Sequence, residues 1–120
     1  MRWDEVVSMS RAWPGVEEGV SYGTPALRLG KKVLTRLRAE DNSLVLVGVS
    51  FDEREILVES RPDVFHFTDH YRDYPAVLAR LDVIAPDALK PFLYRTWRNV
   101  AGKRILAVWD ARPGPNANVP

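Results

Sequence analysis

The chain reads Ala26-Leu27-Arg28-Leu29-Gly30-Lys31-Lys32-Val33-Leu34-Thr35-Arg36-Leu37-Arg38 over residues 26–38. Apolar and cationic residues alternate on both sides of a glycine and two lysines, which is the pattern of a β-hairpin. A three-residue loop at residues 30–32 would set Leu29 opposite Val33 and would separate the two residue types. One face would carry Leu27, Leu29, Val33, Thr35 and Leu37, and the other would carry Arg28, Leu34, Arg36 and Arg38. A two-residue loop at Gly30-Lys31 would mix the two sets, so we predict the three-residue loop.

Further elements are predicted on both sides of this hairpin. The helical spacing of apolar residues predicts a first helix that begins at Trp3 and stops at Pro14-Gly15. Residues 19–25 form a turn-rich segment. The predicted strands span residues 26–29, 33–38, 44–49, 64–67 and 76–81.

Two more helices complete the predicted elements. Ser50 followed by Glu53 is the pattern of a capping box, and it predicts a helix over residues 51–60. A last helix is predicted over residues 86–108. Pro91 either kinks this helix or marks the start of its regular part.

The order of these elements is α-β-β-β-α-β-β-α. Mostly hairpin connections indicate an antiparallel sheet, so we predict an α+β fold with a twisted antiparallel sheet and helices packed on it. Residues 1–109 form a single domain. Residues 110–120 form a tail rich in proline, glycine and asparagine, whose composition cannot build a core.

Composition excludes several classes of protein. The chain has 120 residues, no cysteine and a formal net charge of +1. The lack of cysteine excludes disulfide scaffolds, thiolate metal sites and a cysteine nucleophile. Acidic residues stand at positions 4 and 5, and no apolar run approaches the length of a membrane span, so we predict a cytoplasmic protein without a signal peptide or membrane segment.

The cations are unevenly distributed and favour contact with phosphates. Of 17 cationic residues, 13 are arginine, and residues 86–112 carry six basic and two acidic groups. The hairpin and the last helix could lie along a phosphate backbone, with a second contact from Tyr71, Arg72 and Tyr74. The predicted nucleic-acid-binding residues are Arg28, Lys31, Lys32, Arg36, Arg38, Arg95, Arg98, Lys103 and Arg104. The alternative is a solvated surface, since cations near a helix C-terminus also stabilise the helix.

Three segments resemble one known family. They read Trp13-Pro14-Gly15-Val16-Glu17-Glu18-Gly19 before Ser21-Tyr22-Gly23-Thr24-Pro25-Ala26; Val64-Phe65-His66-Phe67-Thr68-Asp69-His70-Tyr71-Arg72-Asp73-Tyr74-Pro75; and Leu78-Ala79-Arg80-Leu81-Asp82 with Tyr94-Arg95-Thr96-Trp97-Arg98 in the following helix. Over residues 3–106, which include these segments, the chain is similar to the MmcQ/YjbR-like family of small bacterial proteins. The resemblance implies a compact α+β fold with a twisted antiparallel sheet. Proteins of this family are often described as DNA-binding, so the resemblance also implies DNA binding. It supplies no catalytic residues.

A second surface favours a protein or small-ligand partner. The loop around residues 70–75 is rich in residue types typical of interfaces, and Tyr22 could stand near it. The predicted surface consists of Tyr22, His70, Tyr71, Arg72 and Tyr74. In the structural alternative, the tyrosine hydroxyls fix the loop and Arg72 pairs with Asp69 or Asp73.

Metal and catalytic sites are not predicted. His66 and His70 have a spacing that would place both imidazoles on one helical face, but Pro62 and Pro75 indicate a strand followed by a loop. We expect His66 at a strand edge and a hydrogen bond from His70 within its loop. We predict a non-enzymatic protein without cofactor or metal that binds DNA or, alternatively, acts as an adaptor through the Tyr22 surface. The oligomeric state stays open.

Overall fold

A six-stranded antiparallel sheet with helices dominates the computed structural model, which describes residues 1–112. The helices are α1 (Trp3–Ser10), α2 (Phe51–Ser60), α3 (Pro86–Val100) and α4 (Lys103–Ala111). The strands are β1 (Val16–Ser21), β2 (Thr24–Leu29), β3 (Lys32–Arg38), β4 (Ser43–Val47), β5 (Phe65–His66) and β6 (Ala76–Arg80), with a 3-10 turn at Asp69–Tyr71. The strand order is β1-β2-β3-β4-β6-β5, and all neighbouring strands are antiparallel. The predicted α+β class is confirmed.

The main core lies between one face of the sheet and the helices. Leu27, Leu44 and Val77 contribute from three different strands, and each is at most 1% exposed. Leu93 and Trp97 of α3 belong to the same buried cluster. Burying a large apolar side chain stabilises the fold by about 1.5–3 kcal/mol, so the burial of Leu93 and Trp97 holds α3 on the sheet. We call this side of the sheet the helix side.

The opposite face of the sheet carries a smaller apolar cluster. Val45 of β4 pairs with Leu78 of β6, and both are buried on this face together with Ala76. Tyr71, from the loop between β5 and β6, packs against them. We call this face the cleft side, because the site described below opens on it.

The hairpin loop is shorter than predicted. Leu29 pairs with Lys32, which leaves Gly30-Lys31 as a two-residue loop, so the predicted three-residue loop is wrong. Gly30 has a φ of +61°, in the left-handed region that glycine adopts without steric cost. The glycine therefore allows the tighter turn.

A β-bulge restores the predicted pairing further along the hairpin. Leu27 pairs with Thr35, as predicted, because Leu34 is an extra residue between two consecutive pairs. Leu34 was predicted on the face of the arginines, but it is 1% exposed and belongs to the main core. The bulge thus turns Leu34 inward while Arg36 stays on the cleft side opposite Val45.

Strand β1 was missed by the sequence prediction, which placed part of it in a turn-rich segment. Glu17, Glu18 and Gly19 break the alternation that marks a half-buried strand. As an edge strand, β1 tolerates this composition, since exposed charges also discourage pairing with another chain. A Cβ at Gly19 would come within 3.1 Å of Arg28 Cδ, so the glycine leaves room for the Arg28 side chain.

The second half of the chain follows the prediction with one break. Ser50 Oγ accepts a hydrogen bond from the Glu53 amide, which confirms the N-cap of α2. The predicted last helix is instead two helices, α3 and α4, because the chain is extended at Ala101 and Gly102. Pro91 lies inside α3, which starts at Pro86.

The last helix extends into the segment that was predicted as tail. Asp110 and Ala111, predicted as tail, belong to α4, and residues 113–120 of the predicted tail lie outside the described residues. Between residues 1 and 112, no helix is long and apolar enough to cross a membrane. The cytoplasmic location stays a prediction.

Candidate functional site

A cleft of about 530 Å³ opens on the cleft side of the sheet. Its volume falls within the range of about 300–1,000 Å³ that is typical of ligand sites. Three elements contribute: the β1–β2 turn, the end of β3 and the β5–β6 loop. The lining residues are Tyr22, Arg36, Arg38, Glu40, His70, Tyr71 and Tyr74. The cleft therefore unites two hairpin arginines with four of the five residues predicted for the partner surface.

Arg36 is the charged group of the cleft that has no acidic partner. Its guanidinium donates hydrogen bonds to the Tyr71 hydroxyl and to Thr24 Oγ1, the latter at 3.4 Å. None of the ion pairs between described residues includes Arg36. A guanidinium carries five N–H donors, so three remain for a ligand. Arg36 is half-buried and can donate them to an acceptor in the cleft.

Arg38 is arranged differently although it lines the same cleft. Its Nε donates to Glu40 at 2.9 Å and its Nη1 donates to Asp41 at 3.0 Å. These carboxylates neutralise its charge and fix the side chain at the rim. Arg36 is consequently the stronger candidate for contact with an anion.

Tyr22 stands at the turn between β1 and β2 with a strained backbone. Its φ is +50° and that of Gly23 is +76°, which is the geometry of a type I′ turn. Asparagine or glycine suits this position better, because a Cβ with a larger side chain is crowded in the left-handed region. The Tyr22 side chain is 91% exposed, and the Arg36 guanidinium carbon lies 5.4 Å from its ring centre.

The β5–β6 loop supplies an aromatic wall. His70 contacts Tyr71 edge-on at 4.8 Å and stacks on Tyr74 at 6.2 Å between ring centres. The predicted hydrogen bond from His70 within the loop is not formed among the described residues; its imidazole packs on the tyrosines instead. Arg72, which was predicted for the partner surface, instead pairs with Asp69 at 2.6 Å, as in the structural alternative, and lies outside the lining of the cleft.

Arg54 of α2 holds this loop in place, and the sequence analysis missed it. The side chain is 7% exposed, and its guanidinium donates to the backbone carbonyls of Tyr71, Arg72, Tyr74 and Ala76 at 2.9–3.2 Å. Its guanidinium carbon also lies 3.9 Å from the ring centre of Phe67. These contacts satisfy a buried charge without a carboxylate, and they fix the backbone that carries the aromatic wall.

The predicted nucleic-acid-binding residues are divided between the two sides of the sheet. Arg28, Arg36 and Arg38 lie on the cleft side, and Lys31 and Lys32 are exposed at the hairpin loop. Arg95, Arg98, Lys103 and Arg104 lie on α3 and α4 on the helix side. The structure does not bring the nine cations onto one face.

Several of these arginines have partners within the protein. Arg28 donates to the carbonyls of Val20 and Lys31, both at 3.1 Å. Arg95 makes two hydrogen bonds of 3.0 Å to Glu53. Arg98 bonds both carboxylate oxygens of Asp110 at 2.9 and 3.1 Å. Their charge and donors are therefore partly used in stabilising the fold.

The two histidines do not form a shared site. His66 lies in the edge strand β5, as predicted, and its Nε2 is 3.0 Å from Ser43 Oγ. Burial and the nearby Arg80 lower the pKa of His66 below its usual value, against the opposing effect of Asp41. Among residues 1–112, no three potential metal ligands of the His, Cys, Asp or Glu type cluster together.

Three mycobacterial proteins are similar to this chain in sequence. The chain is 29% identical over 98 residues to the uncharacterised proteins Rv2570 and MT2646 of two Mycobacterium tuberculosis strains and Mb2600 of Mycobacterium bovis. Each match covers 79% of this chain and 76% of the relative. No model of a known protein family matches the chain, and no solved structure matches it. The resemblance to the MmcQ/YjbR-like family stays a prediction.

Proposed function

We propose that this protein binds a small organic anion in the cleft and acts as a non-enzymatic ligand-binding protein. The observation that carries the proposal is Arg36, whose half-buried guanidinium has no carboxylate partner among residues 1–112. A half-buried charge loses part of its hydration, so an anionic ligand would restore favourable contacts. A charge-assisted hydrogen bond contributes about 1.5–3 kcal/mol, which corresponds to roughly tenfold or more in affinity.

The rigidity of the cleft supports a ligand-binding role. The Tyr71 hydroxyl accepts a hydrogen bond from Arg36, so the arginine is oriented before any ligand arrives. Arg54 fixes the backbone of the β5–β6 loop through four carbonyls. Because little ordering is left for the binding step, less affinity is lost to conformational entropy.

The geometry gives less support to the nucleic-acid hypothesis. A duplex lying against the hairpin would contact the cleft side, whereas the cations of α3 and α4 lie on the helix side. Two of those cations, Arg95 and Arg98, already pair with Glu53 and Asp110. DNA binding would then depend on the hairpin alone, and its strength would fall steeply with salt.

The test is calorimetric titration with charged and neutral versions of the same compound. We expect the protein to bind benzoate or adenosine 5′-monophosphate more tightly than benzamide or adenosine, because only the first two offer an anionic group to Arg36. Arg36→Gln removes the charge and should abolish this preference. Arg11→Gln is the matched control, since Arg11 is exposed at the end of α1 and lies outside the cleft.

Two outcomes would count against the proposal. One is equal affinity for the charged and neutral compound in both pairs. The other is that Arg36→Gln still binds the charged compounds more tightly than the neutral ones, to the same degree as the native protein. Tight binding of a DNA duplex that weakens steeply with salt, combined with no response to either small anion, would favour the nucleic-acid hypothesis instead.

A further inference from the structure

Tyr22 occupies a position where the fold gains little from a tyrosine beyond the cation–π contact of its ring with Arg36. The type I′ turn requires positive φ at Tyr22, and Gly23 already supplies the glycine of the usual Asn-Gly pair. The ring is 91% exposed, so it buries little apolar surface. A strained residue with an unburied aromatic ring at the mouth of a cleft indicates a contact that is made only when a ligand is present.

The β5–β6 loop also contributes aromatic rings to the cleft. His70 and Tyr74 stack with an angle of 30° between their planes, and both are exposed. They come from the β5–β6 loop, whereas Tyr22 comes from the β1–β2 turn. Two aromatic surfaces on separate elements suit a planar ring, because aromatic groups gain from stacking in addition to area burial.

The polar groups of the cleft suit an anion with several oxygens. Arg36 retains N–H donors, and the Tyr74 hydroxyl, which also lines the cleft, has no hydrogen-bond partner among residues 1–112. The exposed imidazole of His70 adds a further donor. Several donors in one cleft suit a phosphate monoester, with its additional oxygens, better than a planar carboxylate, which offers two oxygens.

We propose that the ligand is a mononucleotide unit, in which a planar base lies against Tyr22 and a phosphate monoester contacts Arg36. This inference rests on the proposed function and specifies its ligand class. The unit could be a free nucleotide or the 5′-phosphorylated end of a nucleic-acid strand, since both present the same base and phosphate.

The experiment measures the contribution of the base to the affinity separately from that of the phosphate. Calorimetry compares adenosine 5′-monophosphate with ribose 5-phosphate, which keeps the phosphate and lacks the base. We expect the native protein to bind the nucleotide about tenfold more tightly, the size of one base–aromatic stacking contact. Tyr22→Asn should remove most of this difference and leave the affinity for ribose 5-phosphate unchanged, whereas Tyr22→Phe should retain it.

Thermal unfolding of the same variants excludes misfolding as the cause. Tyr22→Asn relieves the turn, so its melting temperature should equal or exceed that of the native protein. A 5′-phosphorylated tetranucleotide forms the second arm. Tighter binding than the mononucleotide identifies a strand end as the source, and weaker binding identifies the free nucleotide.

The failures of the two proposals are distinguishable. Equal binding of the nucleotide and ribose 5-phosphate, or an unchanged nucleotide affinity in Tyr22→Asn, would overturn the mononucleotide inference. The anion-binding function would survive that result if Arg36→Gln still weakened both compounds. Absence of any binding of the nucleotide would overturn the inference as well, and the benzoate titration would then decide the broader function.

Discussion

Arg36 on the cleft side and the paired arginines on the helix side have different partners. On the helix side, Arg95 and Arg98 each bond both oxygens of a carboxylate. On the cleft side, Arg38 likewise bonds the carboxylates of Glu40 and Asp41, whereas the partners of Arg36 among the described residues are hydroxyl groups. Carboxylates neutralise a guanidinium, whereas neutral oxygens orient it and leave its charge in place. Arg36 therefore keeps its positive charge in an ordered form, which is a property useful for binding anions.

The largest effect is expected from removing the buried arginine that fixes the loop. Arg54→Met leaves four carbonyls without their donor, and we expect the free energy of unfolding to fall by about 3 kcal/mol. Urea denaturation measures this change. The exposed Arg61→Met is the matched control, with an expected change of about 0.5 kcal/mol or less. Similar values for the two variants would show that the carbonyl contacts do not stabilise the loop.

Relief of strain on the cleft side should raise stability. We expect Tyr22→Asn to increase the free energy of unfolding by about 1 kcal/mol, because asparagine tolerates the left-handed backbone of the type I′ turn. Urea denaturation again provides the measurement. A clear loss of stability would mean that the exposed ring contributes to the fold, and it would remove the reason for assigning Tyr22 to a ligand.

The ion pair between α2 and α3 should contribute less than its geometry suggests. Both Arg95 and Glu53 are partly exposed, so water screens their attraction. A double-mutant cycle with Arg95→Gln and Glu53→Gln should give a coupling energy of about 0.5 kcal/mol. A coupling above about 2 kcal/mol would instead indicate a desolvated pair and a more tightly joined helix side.

The smallest effect concerns the pH dependence of stability. The pKa of His66 is lowered in the folded protein relative to 6.5, mainly by burial. As the pH falls below 6.5, the unfolded chain binds this proton first, so His66 contributes a loss of stability in mildly acidic solution. We expect His66→Gln to lose less stability than the native protein between pH 7 and pH 5, by chemical denaturation at both values. An equal loss would contradict the assignment.

The general fold could be predicted because local signals agreed with it. The Ser50–Glu53 cap, the hairpin strands and the antiparallel class follow from turn residues and alternation. Strand β1 could not be predicted, because it forms by pairing with β2 and its own polar sequence carries no strand pattern. The break between α3 and α4 could not be predicted, because apolar residues continue at helical spacing on both sides of Gly102.

The candidate site could be predicted in parts but not as a whole. Tyr22, Arg36 and Tyr71 were each named, yet they belonged to two different hypotheses until the strand pairing brought them into one cleft. Arg54 gave no signal, because it lies among acidic residues of α2 and resembles an ordinary surface cation. Its acceptors are backbone carbonyls 17–22 residues further along the chain, and no side-chain pattern marks them.

The distribution of aromatic residues gives the protein two separate optical signals. Trp13, Trp97 and Trp109 form one aromatic cluster with Tyr94 on the helix side, and Trp97 Nε1 donates to the Pro14 carbonyl at 2.9 Å. Within residues 1–112, the residues that line the cleft include tyrosines and no tryptophan. Indole emission should therefore report the loss of the core on unfolding, whereas tyrosine absorbance should respond to a ligand. Folding and binding could then be followed in one sample at two wavelengths without any attached label.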